Sequence, residues 1–182
     1  MGYMLYVAPI AAGVDPGLEI RRLVAAAEHP QVDSAKQLRN QELARQLVEL
    51  EPRLERDAID VEAVAAADPE LRPGQIAQLG REINLGIPGV QISIGDDWAS
   101  FEVATWPELA EPTNVARLTG LVEIACARTG WVCVGEHDEV FATPRLAVES
   151  ATATAKAWGH AVRRQVNKRE RRRPVRRWLR RS

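Results

Sequence analysis

The sequence predicts an α+β domain, and three observations carry that expectation. Apolar residues recur at helical spacing through the first third of the chain. From residue 83 their period switches from 3.6 to 2, and Gly or Pro punctuates each change. The length of 182 residues, with 46% hydrophobic and 27% charged residues, suits one soluble globular domain with an appendage.

The elements follow in order. Tyr3 to Ile10 is apolar and aromatic and reads as a first strand. Asp15 followed by Pro16 reads as a helix start, with Leu18, Ile20, Leu23, Val24 and Ala27 as the stripe and His29–Pro30 as the stop. Ser34 and Gln37 have the spacing of a capping box for a second helix, whose Leu43, Leu47, Leu50 and Leu54 fall on one face. Pro52 breaks that helix near its end. A short helix capped by Asp60 runs through Val61, Val64 and Ala67, and Asp68–Pro69 with Pro73–Gly74 mark a loop.

Ile83, Leu85 and Ile87, then Val90, Ile92 and Ile94, then Ala99, Phe101 and Val103 alternate with small or polar residues. That is a strand hairpin with one buried face and one polar face. Thr113 or Asn114 caps the next helix, which buries Val115, Leu118, Val122 and Ala125 and stops at Gly130. Trp131–Val134 and Val140–Thr143 form a second hairpin around Gly135–Glu139, and Pro144 closes the domain. The expected architecture is an antiparallel sheet with helices on one face, in a ferredoxin-like (split βαβ) order, followed by a basic helix and tail. The expected division is an acidic domain over 1–148 and a basic segment over 149–182.

A net charge of −1 hides two opposite segments. Residues 1–150 hold 12 Lys and Arg against 24 Asp and Glu, a net of −12. Residues 151–182 hold 12 Lys and Arg against Glu170 alone, a net of +11. Such an asymmetry is the mark of an interaction segment. Arg163, Arg164, Lys168, Arg169, Arg171, Arg172, Arg173, Arg176, Arg177, Arg180 and Arg181 surround Trp178. Guanidinium forks suit phosphates, and the indole offers a stacking surface for a base, so these residues are the candidate nucleic-acid or anion contacts. An anionic membrane surface, an acidic protein surface (this chain's own body included), and a solvated basic segment with no partner compete with that reading.

The acidic part has two readings as well, solubility or complementarity to a basic protein. Asp96 and Asp97 on one hairpin turn, with Glu136, Asp138 and Glu139 on another, are the candidate partner contacts.

Catalytic and metal motifs are scarce. His29, His137 and His160 lie in different elements, so no pair has ligand spacing on one helix face. No Walker loop, nucleophile elbow or dinucleotide-binding glycine motif occurs, and the sequence implies no cofactor and no metal. Cys126 and Cys133 read as buried small hydrophobes in a reducing cytoplasm, both reduced. No apolar run reaches membrane-spanning length, and Met1–Ile10 lacks the basic start and cleavage site of a signal peptide.

The run from Glu82 to Ile94, the strand after it, and a helix leading into Thr129-Gly130-Trp131-Val132 resemble small uncharacterised bacterial α+β proteins. The early Met1-x-Tyr3-x-Leu5 strand fits them too, whereas their Tyr-Asp-Pro-Gln turn is replaced here by Gly135-Glu136-His137-Asp138. The resemblance implies a fold and a bacterial cytoplasmic origin, with a loose likeness to immunity and antitoxin partners. The expected function is therefore non-enzymatic binding of a basic protein, such as a toxin, through the acidic body. Nucleic-acid binding through the arginine-rich segment is the alternative, and a small enzyme of unknown chemistry is the second.

Overall fold

The computed structural model describes residues 2–26, 33–104, 111–154 and 156–157. Most of the expected basic segment, from residue 158 onward, lies outside them. One antiparallel sheet organises the chain: β1 (Gly2–Ala8), β2 (Glu55–Asp57), β3 (Ile83–Ile87), β4 (Val90–Ile94), β5 (Ala99–Ala104), β6 (Val132–Gly135) and β7 (Val140–Phe141). The strands lie in the order β2-β3-β4-β5-β1-β6-β7. Helices α1 (Pro16–Ala26), α2 (Ser34–Leu50), α3 (Val61–Ala67), α4 (Pro73–Leu79), α5 (Pro112–Thr129) and α6 (residues 144–154) complete the described residues.

The period-2 residues do what their alternation requires. Register aligns Leu85, Ile92, Phe101 and Leu5 in one row across four strands, and Ile83, Ile94, Ala99, Val7 and Cys133 in the next. Both rows face the same side, and Phe101, Leu5, Ile92, Ile94, Ala99 and Val7 lose all contact with water. Leu43 and Leu47 of α2, Leu118, Leu121 and Val122 of α5, and Val148 and Ala151 of α6 fill the space over that face. Helix α6 runs through the expected boundary at 148/149 and gives core side chains from both sides of it.

Helices do not lie on one face only. The opposite parity of β1 and β6 presents Tyr6, Ala8, Val132 and Val134, which are also apolar, and α1 covers them with Ile20 and Leu23. Farther along that face the residues turn polar: Asn84, Ser93 and Ser100 stand in register, with Ser93 Oγ donating to Asn84 Oδ1 at 2.7 Å.

The crossovers also depart from expectation. Strands β5 and β6 are parallel, flank β1 and are joined through α5, which is a split crossover. The connection from β1 through α1 and α2 instead travels to the far edge and leaves β3, β4 and β5 in between. A ferredoxin-like order has one strand there.

Local chemistry explains the remaining differences. Asp33, not Ser34, caps α2, accepting the Ala35 and Lys36 N–H groups at 2.9 and 3.3 Å. The helix stops at Leu50, before Pro52, so Leu50 is half exposed while Leu54 is buried beyond the helix end. Helix α5 is capped at Glu111, two or three residues ahead of the proposed caps, with Pro112 in its first turn. Helix α4 forms where a loop was expected, with Pro73 at its first position and the Arg72 N–H donating to Gln75 Oε1 at 2.9 Å. Gly130 ends α5 in the left-handed region, φ 71°, as its spacing predicts.

Candidate functional site

The two acidic turns project from opposite ends of the sheet. Ala99, just after the β4–β5 turn, pairs with Val7, whereas Gly135, just before the β6–β7 turn, pairs with Leu5, so that turn extends toward Tyr3. The five candidate carboxylates therefore do not form one surface.

Helix α2 holds the first turn. Asp97 is ion-paired with Lys36 and, at 3.6 Å, with Arg39. The Arg39 guanidinium donates to the Asp96 carbonyl and lies over the Trp131 ring, 4.7 Å from its centroid. Asn40, buried, donates from Nδ2 to the Gly95 carbonyl at 2.8 Å. Three residues within two turns of α2 thus clamp the β4–β5 turn. Above Gly95 lies the Trp98 indole, close enough that a methyl group on Gly95 would overlap it.

The second turn is held by Tyr3. Its hydroxyl donates to Glu139 Oε1 at 2.7 Å, and the His137 N–H donates to Oε2 at 3.0 Å. Burial, with the neighbouring Glu139 carboxylate adding to it, pushes the Tyr3 phenol up to about 12. Burial works against the charged Glu139 carboxylate, but the hydrogen bonds from Tyr3 and from backbone N–H groups outweigh it and hold that carboxyl below its usual range. The Asp138 carboxylate packs against Gly17 in the first turn of α1, where the helix dipole favours an anion. Glu136 is exposed.

A denser run of exposed acids lies elsewhere in the chain, outside the two turns that the sequence singled out. From β2 to just past α3, over residues 55–70, the chain carries Glu55, Asp57, Asp60, Glu62, Asp68 and Glu70, all exposed, against Arg56 alone. Asp60 and Asp68 accept backbone N–H groups of their own loops. None of the six takes part in an ion pair among the described residues. Beside β2 an open cleft of about 470 Å³ is lined by Glu55, Asp57, Glu102, Arg56, Gln91 and the β3–β4 turn. The charge run was visible in the sequence. What hid its meaning was that β2, three charged residues without alternation, gives no strand signal.

No group of three or more His, Cys, Asp or Glu side chains is placed to hold a metal ion among the described residues, and no helix there is long and apolar enough to cross a membrane. The eleven basic candidates from Arg163 to Arg181, and Trp178, lie outside the described residues. A scan against protein-family models and searches of curated proteins and of solved structures found no match to the chain.

Proposed function

We propose that this protein acts by binding, not by catalysis, and that its acidic body docks a basic protein in the cytoplasm, as immunity and antitoxin proteins dock theirs. The observation that supports this reading is the stretch from Glu55 to Glu70, where six exposed carboxylates face solvent with one arginine among them. Carboxylates without an ion pair among the described residues are available to a partner's guanidinium and ammonium groups, and arginine forks bind them bidentately. The cleft beside β2 offers Glu55, Asp57 and Glu102 to an inserted basic side chain. The net −12 of residues 1–150 adds a long-range field that speeds encounter with a cationic surface. Asp96 and Glu136 contribute to that field, while Asp97 and Glu139 are engaged within the fold. In architectural terms we read the β5–α5–β6 crossover as one half of a ferredoxin-like arrangement whose first crossover has been extended by two strands.

The test is capture by the full chain from an extract of its own cells, with the bound species identified. The reading expects a stoichiometric basic protein, released by salt and lost when Glu55→Gln, Asp57→Asn, Glu62→Gln and Glu70→Gln are combined. Retention by that variant counts against it.

A second reading rests on the 11 Lys and Arg within residues 163–182. It expects nucleic acid as the bound species, with affinity falling steeply as salt rises because neutralised phosphates release counterions. A chain ending at Val162 would then lose the binding and keep its circular-dichroism spectrum.

A further inference from the structure

We propose that Cys126 and Cys133 form a reversible peroxide-responsive thiol pair, closing into an intramolecular disulfide that ties the last turn of α5 to β6. Their Sγ atoms lie 3.4 Å apart, in contact across the helix–strand corner, and both cysteines are free. The corner itself produces this approach. Gly130, in the left-handed region, reverses the chain and donates its N–H to the Cys126 carbonyl at 2.8 Å. Thr129 Oγ1 donates to the Ala125 carbonyl at 2.7 Å and accepts the Trp131 N–H at 3.2 Å, and Arg39 stacks on Trp131 from α2. A corner fixed by these four contacts keeps the two sulfurs facing each other, and small side-chain rotations bring them to bonding distance.

The environments of the two thiols differ in the sense that a stepwise oxidation needs. Cys126 is partly exposed, so a small oxidant reaches it, whereas Cys133 is 2% exposed. A hydrogen bond from Cys133 favours the Cys126 thiolate and lowers that thiol below its ordinary value, against the opposing effects of burial and of Glu123. The same hydrogen bond, then burial, pushes the Cys133 thiol up. Cys126 is the attacking sulfur and Cys133 the resolving one.

The chemistry balances with a hydroperoxide as oxidant. The Cys126 thiolate attacks one oxygen of hydrogen peroxide, the O–O bond breaks, and the departing hydroxide takes a proton to leave as water. The product is a sulfenic acid on Cys126. The Cys133 sulfur then attacks Cys126 Sγ, the S–O bond breaks, and the second oxygen leaves as water with the Cys133 proton. Two thiols are oxidised to one disulfide and one peroxide is reduced to two waters.

The experiment treats the reduced full-length protein with hydrogen peroxide in slight molar excess. The expected result is a monomer lighter by two hydrogens, with no maleimide-reactive thiol after unfolding, a proteolytic fragment joining Cys126 to Cys133, and full reversal by dithiothreitol. With Cys133→Ser the reaction should stop at a sulfenic acid trapped by dimedone, and with Cys126→Ser the remaining thiol should react roughly tenfold more slowly or less. The measurement on the unaltered protein decides the matter even if a variant fails to fold. Oxygen added to Cys126 while Cys133 stays a thiol, a disulfide between two molecules, or thiols untouched by peroxide would each overturn the proposal.

Discussion

Phe101 sits in the middle of a row that crosses the sheet from Leu85 through Ile92 to Leu5, and none of its surface reaches water. Leu118 and Val122 of α5 belong to the same core. Replacing Phe101 by Ala deletes the largest fully buried side chain there, and such deletions cost about 3–5 kcal/mol. Chemical denaturation of Phe101→Ala checks this; a loss under about 1 kcal/mol is outside the range for a buried aromatic. This row was legible in the sequence, because alternation over three successive strands leaves only one way to bury Ile92, Phe101 and Val103 together. Tyr3 was not legible in the same way. Its aromatic ring announced a strand, but its bond to Glu139, 136 residues away, depends on the pairing of β1 with β6. The fold raises the Tyr3 phenol from 10 to about 12, and the other tyrosine, Tyr6, is raised by burial and by Glu136. The neutral phenol is the form the fold favours. Its contribution to stability is therefore complete below pH 10 and lost as pH climbs through about 12. Following phenolate absorbance and thermal melts over that range checks both points, and Tyr3→Phe should make the alkaline decline shallower.

Among the elements, α2 does two jobs: its Leu43 and Leu47 enter the core, and its first turns clamp the Gly95–Trp98 turn. Both jobs need the helix to begin at residue 34, which makes its cap a test of the whole element. Asp33 accepts two backbone N–H groups there. Asp33→Ala should cost about 1 kcal/mol, the usual loss for a side-chain cap, and Ser34→Ala close to nothing. Equilibrium unfolding of the two variants reads the difference directly; equal losses would place the cap back on Ser34. The sequence favoured Ser34 because Ser and Gln three residues apart form a capping box, and Asp one position earlier competes with an equally good oxygen. Strand β2 and helix α4 escaped for related reasons. Glu55-Arg56-Asp57 is wholly exposed at the sheet edge and needs no apolar face. Pro73-Gly74 looks like a turn until Gln75 is seen to accept from the Arg72 N–H.

For the molecule as a whole, charge is the property most directly written in the sequence and the one whose placement was least so. A net of −12 over residues 1–150 is a matter of counting. Which carboxylates remain available is a matter of folding, since Asp97 is spent on Lys36 and Arg39 and Glu139 on Tyr3, while the stretch from Glu55 to Glu70 keeps its six without ion pairs among the described residues. The short strands β2 and β7 at the two sheet margins leave little backbone for edge-to-edge association, so the docking proposed at β2 rests on side chains rather than on strand addition. Paired surface charges contribute about 0–1 kcal/mol each, so neutralising several exposed acids between residues 55 and 70 should leave the melting temperature nearly unchanged while weakening the field a cationic partner meets. The measurement that bears most directly on this is the affinity of the captured basic protein for the full chain, across a range of salt. It should be made with and without Glu55→Gln, Asp57→Asn, Glu62→Gln and Glu70→Gln. The account predicts binding at least about tenfold weaker in the four-site variant, with a shallower salt dependence. Equal affinity and equal salt dependence, or nucleic acid in place of a basic protein as the captured species, would contradict it.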